Sequence, residues 1–252
     1  MRSEEYSVAF STIAPYYDTL MSFINYTAWV SYIAQILELH GIKDRTLLDL
    51  ACGTGVCLKL WWKRGYKIIG LDKSLEMLTI CRNRLAPLDD GRIHLINGDM
   101  RYFTLAQSVP IVTCLYDSLN YLLTEEDLFS CFQRVYDSLA EHGIFIFDMN
   151  TIHCLRDEWG NSTFHRNDER IHSVWTNQFD PKTAVSSLDL ILTVFEDGSQ
   201  QVIHEQHQER GYALGLVRKL LARAGFEFSL YRHLTFIPAQ ETDLRIMGVA
   251  RK

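Results

Sequence analysis

The chain has 252 residues, 47% of them hydrophobic and 22% charged, with 14 Gly and 5 Pro. That composition suits one α/β domain and excludes disordered, collagen-like and disulfide-scaffold classes. Lys and Arg number 25 against 31 Asp and Glu, a formal net charge of −6, which disfavours nucleic acid as the main partner.

No uninterrupted apolar run reaches the ~18 residues of a spanning helix. The acidic opening Met1-Arg2-Ser3-Glu4-Glu5 lacks the layout of a signal peptide. A soluble, cytoplasmic protein without membrane contact is expected. Cys52, Cys57, Cys81, Cys114, Cys131 and Cys154 form no C-x-x-C pair and mostly lie in apolar runs, which reads as reduced thiols. His204 and His207 have an odd separation that points them to opposite faces of a strand, so no metal site is expected.

Residues 1–44 read as helical, with Trp29, Ile33, Ile36 and Leu37 at helical spacing and a stop at Gly41. The apolar run 46–51 predicts a buried strand, followed by Cys52-Gly53-Thr54-Gly55 and a helix carrying Leu58, Trp61 and Trp62. A second strand covers 66–72. Ser74 can cap the next helix, whose Leu75, Leu78, Cys81 and Leu85 share a face before Pro87. Residues 92–97 and 110–116 give strands three and four. Thr124 and Asp127 resemble a capping box ahead of Leu128, Phe132, Val135 and Leu139, and Gly143 is the predicted helix stop before a fifth strand ending at Asp148. Apolar strands alternating with helices predict an α/β fold with a mostly parallel sheet covered on both faces.

The alternation breaks after Asp148. Leu188, Leu190, Leu192 and Val194 share one parity, and Asp180-Pro181 and Asp197-Gly198 are turn signals, so 149–210 predicts an antiparallel insertion. A helix over 212–223 and strands over 226–234 and 243–250 close the chain. The expected organisation is N-terminal helices at 1–45 covering the cofactor, a core at 46–148 and 211–252, and a lid at 149–210.

Ligands of open α/β sheets bind beyond the carboxyl ends of the strands. The first such end is Asp49-Leu-Ala-Cys-Gly53-Thr-Gly55. No Gly-Lys-Ser/Thr follows, which removes a triphosphate loop. A dinucleotide fingerprint needs a third glycine where Leu58 stands, and Asp49 at the strand mouth would oppose a pyrophosphate. S-adenosylmethionine, with an ammonium, a sulfonium and no phosphate, suits that carboxylate. Asp72 ends the second strand, where it can accept from ribose hydroxyls. Asp99-Met100 ends the third, offering a carboxylate and an apolar face to adenine.

With these motifs the chain resembles the class I S-adenosylmethionine-dependent methyltransferases along nearly its whole length. Leu48 to Gly55 looks like the family's first motif, Gly70 to Ser74 with Met77 its second, and Gly98 to Arg101 its third. The resemblance implies a Rossmann-like seven-stranded sheet with a reversed final hairpin. It also implies that Asp49, Ala51, Gly53 and Gly55 hold the methionine part, Asp72 the ribose, and Asp99 with Met100 the adenine. Ala14 to Leu20, then Tyr26 and Trp29, look like the N-terminal helices of glycine and aminosugar N-methyltransferases. A tyrosine like Tyr17 reaches the cofactor near its methyl group in those relatives, and Trp29 and Leu115, the latter in a Cys114 to Leu122 run that resembles a bacterial subgroup, are further expected cofactor contacts. The first-helix arginine that some of those enzymes use for the cofactor carboxylate has no counterpart.

The substrate is expected to be a small molecule, methylated on nitrogen or oxygen. Asp117 and Asn120, just after the fourth strand, are the leading catalytic pair, with Tyr17 and His207 as further candidates. His207, between Glu205 and Glu209, also reads as a solvated lid residue. Arg210 and Tyr212 could anchor the lid instead of touching substrate. A non-catalytic S-adenosylmethionine-binding protein and an RNA or protein methyltransferase are the alternatives. A homodimer through exposed lid strands is a further expectation.

Overall fold

Two sheets organise the computed structural model, which describes residues 9–168, 170–196 and 198–252. The larger contains β1 (Thr46–Leu50), β2 (Lys67–Asp72), β3 (Ile93–Asn97), β4 (Val109–Cys114), β5 (Leu139–Asn150), β10 (Glu227–Arg232) and β11 (Arg245–Arg251). Their order is β10-β11-β5-β4-β1-β2-β3. Strands β1 to β5 run parallel, while β11 is antiparallel to β5 and to β10. The smaller sheet orders β6 (Thr163–Asn167), β7 (Ile171–Asp180), β8 (Val185–Glu196) and β9 (Ser199–Arg210) as an antiparallel meander.

Helices α3 (Val56–Lys63), α4 (Leu75–Leu85), α5 (Glu125–Ser138) and α6 (Leu214–Ala224) cover the large sheet with α2 (Tyr26–Leu39). Burial of Leu58, Trp61, Leu78 and Cys81 joins α3 and α4 to Ile33 and Ile36 of α2 on one face. On the other, Phe132 and Val135 of α5 meet Val217 and Leu221 of α6 over Phe145 and Phe147. Each fully buried large side chain contributes ~1.5–3 kcal/mol of transfer free energy, so these two layers dominate stability. The capping signals are physical. Ser74 Oγ accepts from the Met77 N–H at 3.1 Å, and Thr124 Oγ1 from the Asp127 N–H at 3.0 Å.

Several sequence expectations need correction. Residues 1–8 of the expected N-terminal helical region lie outside the described residues, as does Asp197 of the predicted turn. The described part is an irregular run at 9–13, a 3-10 turn (Ala14–Tyr16) and one turn of helix, α1 (Tyr17–Leu20), before α2. Helix α5 stops at Ser138, not at Gly143. A Cβ at Gly143 would lie 2.8 Å from the Ala140 carbonyl oxygen, so glycine there serves an irregular stretch of β5. Strand β5 also continues past Asp148 to Asn150, because Asn150 pairs with Arg245 of β11. The insertion therefore starts with a π-helical turn, Cys154–Trp159, and places its meander after Asn161.

Ile13, Leu20 and Met21 pack on Ile171, Leu190, Leu192, Val194 and Ile203 of the small sheet. The same face of β9 buries Glu205, His207 and Glu209, whereas His204 points outward, as its parity requires. Among the described residues no helix is long and apolar enough to cross a membrane, and no cluster of His, Cys, Asp or Glu could hold a metal.

Candidate active site

The strand order reverses direction between β1 and β4, which opens a crevice at their carboxyl ends. Three non-glycine residues there have left-handed backbone: Ala51 (φ 53°), Tyr116 (φ 60°) and Asp117 (φ 51°). Each such residue costs on the order of 1–3 kcal/mol, and strain of this kind concentrates at functional sites.

On the β1 side, Asp49 is 3% exposed and accepts from the Thr113 hydroxyl at 2.6 Å. Burial pushes its carboxyl up to about 7 against the pull of that bond. Asp72 ends β2 and ties the loop down. Its Oδ2 accepts from the Gly53 N–H and its Oδ1 from the Ser74 N–H, both at 2.8 Å. Burial raises the Asp72 carboxyl, and these N–H groups offset part of the shift. A Cβ on Gly53 (φ 54°) would meet nothing within 4 Å, so the loop presents open space there. Gly55 differs, since a Cβ there would come 2.4 Å from Cys81 Sγ. Close approach of α3 to α4 accounts for that glycine without a ligand. Ala51 stands between Asp49 and this loop, in the strained backbone noted above.

The loop is also latched to the N-terminal region. Thr54 Oγ1 donates to Asp18 Oδ1 at 2.6 Å, and Arg84 donates to the Thr54 carbonyl at 2.7 Å while pairing with Asp18. At the end of β3, Arg101 engages the expected adenine acid. Its guanidinium donates to both Asp99 oxygens, at 2.9 and 2.7 Å, and holds that carboxyl below its ordinary value. Met100 is half-buried beside them.

The β4 side is knitted from distant residues. Asp148, at the end of β5, accepts from the N–H groups of Tyr116 and Asp117 at 2.5 and 2.9 Å, which holds the strained pair in place. Arg245 of β11 lies between two acids, 2.5 Å from Asp148 and 3.2 Å from Asp117. Burial raises the Asp148 carboxyl to about 6, with Arg245 pulling down and Asp117 pushing up. Asn150 donates from Nδ2 to Asp117 at 2.7 Å and to Glu209 at 3.0 Å. Burial and nearby Asp117 push the Glu209 carboxyl well above its ordinary value. Asn120 is fully buried. Its amide donates to the Asn150 and Arg210 carbonyls and accepts from the Asn150 N–H, so it has the bonding of a backbone clamp.

Tyr17 and His207 come together around Phe10, with Tyr121 between the fourth strand and the lid, while Asp117 is held by Asn150 and Arg245. The Phe10 ring centroid is 5.7 Å from that of Tyr17, 5.2 Å from Tyr121 and 4.7 Å from His207. Burial raises the Tyr17 phenol, with Tyr26, Tyr116 and Asp117 adding to it. His207 is 4% exposed, which overturns its reading as a solvated lid residue. Its Nε2 lies 3.2 Å from Glu205 and its Nδ1 3.3 Å from the Tyr121 hydroxyl. Glu205 also accepts from the N–H groups of Phe10, Thr12 and Ile13. Leu115 is 7% exposed. Trp29 sits beyond Tyr116, facing His233 and Arg245. Tyr212 spends its hydroxyl on the Leu122 and Thr124 carbonyls, the anchoring reading of that residue.

Phe10, Tyr121, Asp148, Asn150, Glu205, Glu209 and Arg245 were not singled out from sequence. Asp148 carried a usable signal, an acid at a strand end like Asp49 and Asp72. Glu205 and Glu209 share parity with His207 along β9. Arg245 had none, because only the β5–β11 register brings it to Asp117.

Residues 47–143 match the family model described as a methyltransferase domain. A protein of Geobacillus sp. (strain WCH70) named as a methyltransferase is 30% identical over 250 residues, covering 97% of this chain and 100% of its own. The dTDP-3-amino-3,4,6-trideoxy-alpha-D-glucopyranose N,N-dimethyltransferase of Streptomyces venezuelae is 33% identical over 124 residues, 49% of this chain and 50% of its own. The crystal structure of an S-adenosylmethionine-dependent methyltransferase from Clostridium acetobutylicum ATCC 824 superimposes with a TM-score of 0.86 at 26% identity, over 95% of this chain and 97% of that one.

Proposed function

We propose, from the premise that this chain belongs to the class I S-adenosylmethionine-dependent methyltransferases, that it methylates the nitrogen of a small-molecule amine. Its cofactor, S-adenosylmethionine, supplies a methyl group on a sulfonium already activated for displacement. The residues fit that group. Asp49 is a buried carboxylate whose hydroxyl neighbour leaves it short of positive charge, which an amino-acid ammonium supplies. Gly53 has open space before it, and the Asp72 oxygens keep lone pairs for hydroxyl donors. In this reading residues 9–45 cover the cofactor, with Tyr17 near the methyl carbon, Trp29 and Leu115 as outer walls, and Asp99 and Met100 beside the adenine.

The acid-rich floor under Tyr17 and His207 carries the choice of an amine. Asp117 and Asp148 share one guanidinium, that of Arg245, and Glu209 meets Asp117 through Asn150, so acids outnumber cations there and the floor attracts a cation. The Streptomyces venezuelae relative is named for an amino sugar, which supports the same class. Asp117 receives the substrate nitrogen, and Asn120 holds the β5 end and Arg210 so that Asp117 stays aligned. Alignment within ~3–3.5 Å of the methyl carbon and exclusion of water supply most of the rate. A homodimer through the lid would use β6, whose five residues are all exposed.

Calorimetric titration with S-adenosylmethionine, S-adenosylhomocysteine and NAD, followed by methyl-donor consumption against a panel of small amines and hydroxy compounds, tests this reading. Binding of the first two and turnover of an amine are expected. Tight NAD binding without response to the methyl donor would sink it. Turnover of a hydroxyl compound alone would move the acceptor to oxygen, and binding without any turnover would leave a non-catalytic protein.

A further inference from the structure

Three side chains from two parts of the chain line up in the cleft: Tyr121 after β4, and His207 and Glu205 on β9. We propose that they form a proton relay in which the Tyr121 hydroxyl faces the substrate amine, His207 receives the proton, and Glu205 fixes the ring. The proposal rests on the reading of the cleft as an amine methylation site.

The direction of the relay follows from the donor inventory. A carboxylate only accepts, so the His207 nitrogen 3.2 Å from Glu205, Nε2, carries the hydrogen in the neutral ring. Nδ1 then has a free lone pair, and the Tyr121 hydroxyl 3.3 Å away donates to it. Glu205 is built to stay a carboxylate. Burial works against its charge, but His207 and the N–H groups of Phe10 and Ile13 outweigh burial and hold it below its ordinary value. Its side chain is fully buried, so water does not compete for those contacts.

The step balances as follows. A substrate ammonium gives one N–H proton to the Tyr121 oxygen while the Tyr121 hydroxyl proton passes to His207 Nδ1. The freed nitrogen lone pair forms the C–N bond, and the C–S bond breaks with its electron pair left on sulfur. The proton remains on His207, opposite Glu205.

The same carboxylate holds residues 10–13 through three N–H groups, so Glu205 is a positioning residue with two tasks. The relay is complete only with this segment docked. Phe10, in left-handed backbone at φ 66°, packs its ring at a tilt against both His207 and Tyr121.

Long-range 1H–15N correlation of the histidine rings, in protein saturated with S-adenosylhomocysteine, reads the relay without a substrate. His207 is assigned by its loss in H207Q. A proton on Nε2 and a bare Nδ1 are expected, with the Nδ1 resonance moving in Y121F and both tautomers populated in E205Q. A proton on Nδ1 in the unmodified protein, or an unchanged tautomer in E205Q, overturns the relay. Y121F removes one hydroxyl and keeps the test available where E205Q does not fold. With the amine identified by the screen, Y121F is expected to lower kcat at least ~100-fold with a small change in KM. Full kcat in Y121F also overturns it. Failure to bind S-adenosylhomocysteine would instead sink the amine methylation reading, so the two failures are distinct.

Discussion

The two sides of the cleft are stitched over different sequence distances. On the cofactor side, Asp72 reaches Gly53, 19 residues away, and Ser74, two residues away. On the substrate side, Glu205 reaches Phe10 across 195 residues, Arg245 reaches Asp117 across 128, and Asn120 reaches Arg210 across 90. The first set joins the loops after β1 and β2, and even its longer latches, from Asp18 to Thr54 and from Thr113 to Asp49, span 36 and 64 residues. The second exists only when the N-terminal segment, the lid and the last hairpin are all in place. Removing a residue on the cofactor side should therefore show in binding, and on the substrate side in stability.

Arg245→Met should have the largest effect. It leaves Asp117 and Asp148 as buried acids without their cation, at a cost of ~3–5 kcal/mol. Urea denaturation measures this, and affinity for S-adenosylhomocysteine should change less than about threefold. Asp148→Asn added to that variant should recover part of the loss. A destabilisation under ~1 kcal/mol would break the comparison.

Asp72→Ala should behave in the opposite sense. Binding of S-adenosylhomocysteine is expected to weaken at least ~10-fold by calorimetry, about 1.4 kcal/mol. A loss of stability larger than that of Arg245→Met, with affinity retained, would reverse the assignment of the two sides.

Asp49 sharpens the comparison through pH. Its carboxyl is raised to about 7 in the free protein and must ionise to meet an ammonium. Affinity for S-adenosylhomocysteine should then be level above pH 7 and fall up to ~10-fold per unit below it. Linkage gives the matching sign for folding. The proton retained by folded Asp49 stabilises fully below the ordinary carboxyl pKa, and that stabilisation is lost as pH rises through 7. Calorimetry in buffers of different ionisation enthalpy should detect a proton released on binding at pH 6, and Asp49→Asn should abolish it.

The smallest effect is expected at Thr124→Ala, which removes the bond to the Asp127 N–H and costs ~1 kcal/mol in thermal or urea unfolding. A much larger loss would mean that the start of α5 also supports the cofactor side, through the Arg101 contact with Asp127 at 2.9 Å.

This distribution explains what the sequence could disclose. Strands β1 to β5, the caps at Ser74 and Thr124, and the parity of Leu190, Leu192 and Val194 depend on periodicity and neighbouring residues, and all were legible. So were Asp49 and Asp72 as acids of the first two strand ends. The chain end of α5 was misplaced because Gly143 carries the same signal in a strand irregularity as in a helix stop. Asn120 looked like a reacting group because its neighbour Asp117 does, and only its partners across the fold show a clamp. Arg245 was invisible for the same reason. Its partners lie on other elements, and no local pattern encodes that proximity.

The six buried thiols have a practical consequence as built-in clocks. Cys114 and Cys131 are fully buried, and burial raises both thiols, so neither yields a thiolate to a reagent in the folded chain. Their modification therefore times the opening of the large sheet and α5. Cys52 directly precedes Gly53, is 8% exposed and is held up first by its hydrogen bond to Cys81, then by burial. Its modification times the release of one loop from Asp72. A dye reacting first at Cys52 and much later at Cys114 would report two separable openings from a single chain, with no label added.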